Sequence, residues 1–361
     1  MMKRSESVKS IESRAAEVLR ELLEQVPAIR VLDVEQEVAG AGKQVDILVH
    51  LEAAGRLHTL ACEVKVNGQP RYVRAALSQL RNYVAEQAQG TIPVLIAPYL
   101  SPNVQALCSE QGVGFLDLEG NVRLTFDGIF IERRVPGKPH SERRELKSLF
   151  RPKSAQVLRV LLRDPSRMWR VVELAEAAAV SVGHVSNVRS GLLDREWAEV
   201  SEEGLLLSKP DTLLDEWARV YEPPAGKRLV FYTTLHGGAL EDAARQALHA
   251  EDERGHAVFA SYSSAQWLAP YARTGTHYFY ADLKGLERLR VALDLSSVSK
   301  GQNVIVTLPK DTGLFRDTVE PAPGAVCTSP VQTYLDLVVA GERGAEAADH
   351  LRREKLAWQK T

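Results

Sequence analysis

Two proline-bearing interruptions constrain this chain more than any other feature. "RRVPGKPHSERR" near residue 135 and "YEPPAGKR" at 221–228 break the hydrophobic periodicity on either side of them. The 361 residues are therefore expected to fold as three segments, 1–137, 145–221 and 226–361. A hydrophobic content of 45% is enough to give each a core. No run of about 18 apolar residues occurs, and the start "MMKRSESVKSIESRAAEVLR" lacks the apolar stretch of a signal peptide. That points to the cytoplasm and to no membrane partner. The three cysteines, Cys62, Cys108 and Cys327, are far apart and form no CxxC pair. This disfavours a disulfide framework or a thiolate zinc site and predicts reduced, buried thiols.

Within the first segment, apolar positions at helical spacing (Val8, Ile11, Ala15, Val18, Leu22) predict an opening amphipathic helix that ends at Pro27. Three strands follow, "IRVLDVEQEV", "KQVDILVHLE" and "RLHTLACEVKV", with "AAGR" as the turn between the last two. A helix through Val73, Leu77, Leu80 and Val84, the strand "IPVLIAP", the helix "SPNVQALCSEQG" and a strand pair in "VGFLDLEGNVRLTFDGIFIERR" complete it. This order describes a mixed sheet with helices on its faces, an α/β domain.

Glu63 and Lys65, at i and i+2 of a strand, share one face, and Asp46 lies in the neighbouring strand across the hairpin. Unpaired buried charge is costly, so two carboxylates brought together here need a cation between them, and oxygen ligands suit Mg²⁺ or Mn²⁺. A nearby lysine can hold or activate water and offset charge on a phosphate. Gln79 and Tyr83 follow at i and i+4 on one helix face. This succession resembles the PD-(D/E)XK, or restriction-endonuclease-like, nuclease superfamily over about residues 8 to 135. The resemblance implies that Asp46 and Glu63 bind the metal and that Lys65 assists the water. It also implies that Gln79 and Tyr83 form the Q-x-x-x-Y element of RecB-like members, and that an acidic residue of the first helix, Glu17 or Glu21, completes the site. Val45 stands where the pattern has proline. Such folds also serve as inactive scaffolds, so activity does not follow from the fold.

The net charge of -2 conceals a local excess: residues 141 to 170 hold nine Lys/Arg against three Asp/Glu. From Ser154 to about Pro210 the pattern reads helix, helix, turn, helix, hairpin, the cadence of a winged helix-turn-helix. Val157, Val160 and Leu161 on its first helix, and Val185, Val188 and Leu192 on its third, are the expected core positions. His184, Ser186, Asn187 and Arg189 are then left near the outside, where they can meet base edges or phosphates, with Arg167 and Arg170 supplying further cationic charge. The acidic tip Glu202-Glu203 favours the alternative, a winged helix used for protein contact.

The third segment alternates strands ("LVFYTTL", "HAVFASYS", "THYFYAD", "NVIVTLP") with helices, and His236, His256 and His277 are dispersed through it as expected structural histidines. Its end, "CTSPVQTYLDLVVAGERGAEAADHLRRE", is similar to regulators of the AbiE type IV antitoxin group, chiefly over residues 327 to 352. The expected fold class is thus α/β multidomain: a nuclease-like mixed sheet flanked by helices, then a winged helix, then a C-terminal α/β domain. Two functions remain open. One is a DNA-binding protein with a divalent-metal-dependent phosphodiesterase site; the other is a transcriptional regulator or antitoxin whose nuclease fold is silent. Partners open to such a chain are double-stranded or branched DNA, a cognate toxin, and a second copy as a homodimer.

Overall fold

A computed structural model describes residues 8–40, 43–87, 90–249, 255–271 and 274–358. The chain is α/β throughout and divides into two compact units. One comprises the residues up to Arg143 with Leu193–Glu196; the other is Arg144–Leu192 with Trp197 onward.

The first unit contains α1 (Val8–Glu24), β1 (Ile29–Gly40), β2 (Lys43–Ala53), β3 (Arg56–Val64), α2 (Pro70–Ala85), β4 (Thr91–Ala97) and α3 (Pro102–Glu110), followed by β5 (Gly114–Asp117), β6 (Val122–Phe126) and β7 (Ile129–Arg133). All seven strands form one sheet in sequence order. β3, β4 and β5 run parallel, joined by crossovers through α2 and α3, and the flanking pairs are antiparallel. The expected strand pair at 113–134 is three strands, because "FDGI" turns a second hairpin. Asp127 and Gly128 both have positive φ, as a two-residue primed turn requires. Ala54 and Gly55 turn the β2–β3 hairpin in the same way.

Alternation in the central strands sorts side chains to two layers. Cys62, Val64, Val94 and Ile96 pack under α1 with Ala15, Leu19 and Leu23. Leu95, Ala97 and Phe115 pack under α2 and α3 with Leu77, Leu80 and Cys108. Glu63 pairs in register with Leu95 and so stands on the α2 side.

α4 (His140–Leu149) leads into the second unit. There α5 (Pro152–Arg163), α6 (Val171–Ala178) and α7 (Val182–Asp194) are followed by the hairpin β8 (Glu199–Val200) and β9 (Leu205–Leu206), then α8 (Pro210–Val220). Val157, Val160, Leu161, Val185, Val188 and Leu192 are all buried. Trp169 bridges to Leu205, adding a third short extended segment to the hairpin. Gly204, at φ +144°, lies against it, and a Cβ there would meet the Trp169 carbonyl at 2.6 Å.

The remainder comprises β10 (Gly226–Tyr232), α9 (Gly237–Leu248), β11 (Ala257–Phe259), α10 (Ser261–Leu268), β12 (His277–Ala281), α11 (Leu283–Ala292), β13 (Ser296–Ser297), β14 (Val304–Pro309), β15 (Thr318–Val319), β16 (Cys327–Thr328), α12 (Pro330–Val338) and α13 (Glu342–Lys355). Its mixed sheet has the order β13-β10-β14-β12-β11-β16-β15. "HAVFASYS", expected as one strand, turns into α10 at Ser261. The long helix expected at the end is two helices, broken at Gly341 with φ +87°.

Buried polar groups join the α5–α8 segment to this sheet. The fully buried Asp336 on α12 accepts hydrogen bonds from Tyr221 Oη (2.5 Å), Tyr280 Oη (3.1 Å) and Gln332 Nε2 (3.0 Å). Gln332 in turn accepts from Arg159 of α5 at 3.1 Å. Much of the basic segment is consumed inside this unit as well. Lys147 pairs with Glu222, Lys153 with Asp311, and Arg159 and Arg163 both with Asp317.

Candidate functional site

The end of β3 carries the polar cluster. Ile47 of β2 pairs with Cys62 of β3, so Asp46 and Glu63 are the next residues along the two strands. Asp46 Oδ2 accepts the backbone N–H of Val64 at 2.6 Å, which ties this carboxylate to the strand that carries Glu63. Glu63 is 3% exposed. Its Oε1 accepts from Lys65 Nζ at 2.5 Å and its Oε2 from Gln79 Nε2 of α2 at 3.3 Å. Lys65 lies just past the strand end, its backbone N–H bound to the Ile96 carbonyl at 2.8 Å and its side chain 30% exposed. One carboxylate is thus buried on the sheet, while the ammonium and amide that grip it reach toward solvent.

The electrostatics of Glu63 are unbalanced. Burial raises its pKa most; the hydrogen bond from Lys65 opposes this, and the charges of Asp46 and Glu12 add to the rise. The charges of two further carboxylates, Asp46 ahead of Glu12, therefore oppose the ionisation of Glu63, and Lys65 favours it.

Glu12, not Glu17, is the acidic group of α1 that acts on Glu63. Glu17 and Glu21 are exposed. Five residues separate Glu12 from Glu17, about 140° around a helix, so burying the face of Ala15, Ala16 and Leu19 turns Glu17 outward. The signal was available in the spacing: Glu12 adjoins Ile11 and precedes Ala16 by four, at the edge of the apolar stripe. Gln79 reaches the site, but the Tyr83 ring is buried among Val45, Leu48 and Ala61, where it seats α2 on the sheet. The Q-x-x-x-Y spacing delivers one contact to Glu63 and one to the core.

Asp46 and Glu63 offer hard oxygen donors of the kind that suit Mg²⁺ or Mn²⁺. Among the described residues no three His, Cys, Asp or Glu are grouped to form a cage. Two carboxylates alone would leave an ion held here with several waters.

In the second unit the six expected DNA-contacting residues are divided. Asn187 and Arg170 are exposed, Arg170 at the N-cap of α6. Arg167 is exposed and stacks over the Trp169 ring, with its guanidinium carbon 3.7 Å from the centroid. Ser186 Oγ donates to the Val182 carbonyl of its own helix. Arg189 is half-buried. His184, expected on the outside, is turned inward: its Nε2 lies 3.2 Å from Ser154 Oγ of α5, bracing the two helices. Packing of α7 on α5 places position 184 in the contact although it flanks the apolar face.

Residues 206–357 match the family described as "Transcriptional regulator, AbiEi antitoxin, Type IV TA system". No curated protein matches the chain. Among solved structures, a repair endonuclease from Pyrococcus abyssi is similar at 14% identity, over 32% of this chain and 49% of that one, with a TM-score of 0.25. A structure described as an EndoMS–dsDNA2 complex gives 23% identity over 30% and 44%, at 0.24. An XisH family protein from Nostoc punctiforme gives 19% over 29% and 92%, at 0.23. The chain spans less than half of the Pyrococcus abyssi and EndoMS chains, and likenesses at these TM-scores carry no weight for function.

Proposed function

We propose that the first unit holds a divalent-metal-dependent DNA phosphodiesterase site, and that the second unit binds DNA through a winged helix-turn-helix formed by α5–α7 and the β8–β9 hairpin. One observation carries the catalytic half: buried Glu63, gripped by Lys65 and Gln79, stands under the charge of two further carboxylates, Asp46 and Glu12. A fold needs no such accumulation for stability, because like charges at a buried point oppose folding.

Asp46 and Glu63 would hold Mg²⁺ or Mn²⁺, which supplies Lewis-acid stabilisation of phosphoryl charge and a more acidic bound water. Lys65 offers a fixed positive charge to a phosphate oxygen or to the attacking water, and its partial exposure leaves it within reach of a strand laid across the sheet end. Gln79 orients Glu63 through Oε2. On the second unit, Arg167, Arg170 and Asn187 are the exposed groups that can position a phosphate backbone or meet base edges. The test is cleavage of plasmid and branched DNA with Mg²⁺ or Mn²⁺ by wild type, Asp46→Ala and Lys65→Ala. Loss of cleavage in both variants is expected, and cleavage persisting in both excludes this site.

The match of residues 206–357 favours a second reading, a regulator or antitoxin that binds DNA and a cognate toxin while the first unit is catalytically silent. It predicts selective binding to the upstream region of the protein's own gene over random DNA, with no cutting under either metal. Equal affinity for both DNAs removes its support. Size-exclusion chromatography with light scattering tests the accompanying homodimer.

A further inference from the structure

The C-terminal sheet contains a cavity of about 460 Å³ that neither reading uses. Its wall is built from the first turn of α9, one side of α10 and the start of β12. This volume lies in the range that holds small-molecule ligands. The lining groups fall into two kinds. Asn303 and Ser263 are occupied structurally: Asn303 Oδ1 accepts from Thr233 N–H at 2.9 Å while its Nδ2 donates to the Thr233 carbonyl at 2.8 Å, and Ser263 Oγ accepts from Tyr278 N–H at 2.8 Å. These bonds fix the floor. In contrast, the side chains of His236, Glu241, Gln266 and His277 make no hydrogen bond within the protein, among the described residues.

Four polar side chains from three elements thus face one space without a hydrogen bond to the protein among the described residues, and the charge of Glu241 acts on His277 across it. Beside them, Trp267 and Phe259 form an aromatic wall, with ring centroids 5.9 Å apart. An aromatic wall with hydrogen-bonding groups around it suits a flat heterocycle, stacked on one face and read at its edge. Among the described residues neither Lys nor Arg lines the space, and Glu241 places a carboxylate in it, which disfavours a polyphosphate. Burial lowers the pKa of His277 and outweighs the opposing charge of Glu241, so its imidazole is neutral near pH 7 and offers one donor and one acceptor. A carboxylate is an acceptor only, so the edge facing Glu241 must carry N–H donors.

We propose that this cavity binds an uncharged purine of the guanine type, as base or nucleoside, with Glu241 accepting from its N–H edge, Gln266 and His277 completing the hydrogen bonds, and Trp267 packing against the ring. The site belongs to the second unit and shares no residue with the site proposed in the first.

Isothermal titration of the full-length chain with guanosine, adenosine and guanosine triphosphate tests this. Saturable guanosine binding under about 1 mM is expected, with adenosine at least about tenfold weaker and the triphosphate no tighter than guanosine. Glu241→Gln and, from a separate helix, Gln266→Ala are each expected to weaken guanosine about tenfold or more, with circular dichroism confirming that both variants are folded. Absence of saturable guanosine binding overturns the proposal. So does wild-type affinity in both folded variants, adenosine binding as tight as guanosine, or tighter binding of the triphosphate. None of these readouts involves DNA, so failure here is distinct from failure of the cleavage test.

Discussion

Glu63 of the first unit and Asp336 of the second are both buried carboxylates, and the two are partnered in opposite ways. Asp336 accepts hydrogen bonds from two tyrosine hydroxyls and an amide, with the guanidinium of Arg159 acting on it as well. Glu63 has one lysine and one amide, and faces the charges of Asp46 and Glu12. Burial raises the pKa of both, yet only around Glu63 do carboxylates add to the rise. A buried charge with its lone pairs filled is scaffold, and its removal orphans its donors. A buried charge held among like charges weakens the fold locally, and that is where a site for a cation or a reacting group is to be sought.

Substitution at the two positions should break in different observables. The largest effect is expected for Glu63→Gln: metal-dependent DNA cleavage falls by at least about 100-fold, while the unfolding free energy from urea denaturation changes by less than about 1 kcal/mol because repulsion from Asp46 and Glu12 is relieved along with the lost pair. If Glu63→Gln unfolds the protein instead, the two carboxylates are alike and the contrast fails. Next is Asp336→Ala, expected to cost the second unit about 3 kcal/mol by leaving Tyr221, Tyr280 and Gln332 without their acceptor. Cleavage by the first unit, assayed where the variant is folded, should be unchanged.

A pH series sharpens the contrast further. Asp336 is pushed up to about 6 by burial, from an ordinary 3.8. Its neutral form is favoured in the folded state, so its contribution is complete below about pH 4 and is lost as pH rises through about 6. Denaturation of wild type and Asp336→Asn across that window should show the slope in the wild type alone. For Glu63, 10 mM Mg²⁺ (roughly a saturating level for a weak site) should raise the melting temperature of wild type and leave Glu63→Gln unmoved. The smallest effect separates the two acids of the first helix: Glu12→Gln should shift the metal concentration for half-maximal cleavage about tenfold, while Glu17→Gln leaves it in place.

The α/β character, the strand that carries Glu63 and ends before Lys65, and the helix carrying Gln79 were legible because each depends on periodicities of two or 3.6 residues within a single element. Register across the hairpin set Asp46 beside Glu63 for the same reason, since Ala54-Gly55 fixes the turn. Elements shorter than five residues were harder to read: β11 has three, too few to show alternation before α10 begins. His184 and Tyr83 each border an apolar stripe, so the pattern points one outward and the other toward the site. A residue at the edge of a stripe turns in or out according to which neighbour packs there.

The order of elements, the turn chemistry and the residue types of the site come from the sequence alone, because local sterics and hydrophobic patterning fix them. Only the tertiary structure decided that Glu12 rather than Glu17 acts on Glu63. It also decided that four basic residues of the segment at 141–170 are paired inside the second unit, and that four polar side chains from three elements face one cavity. Each of these depends on distances between residues far apart in the chain. Such distances are set by how packed layers meet, and no pattern within one element encodes them.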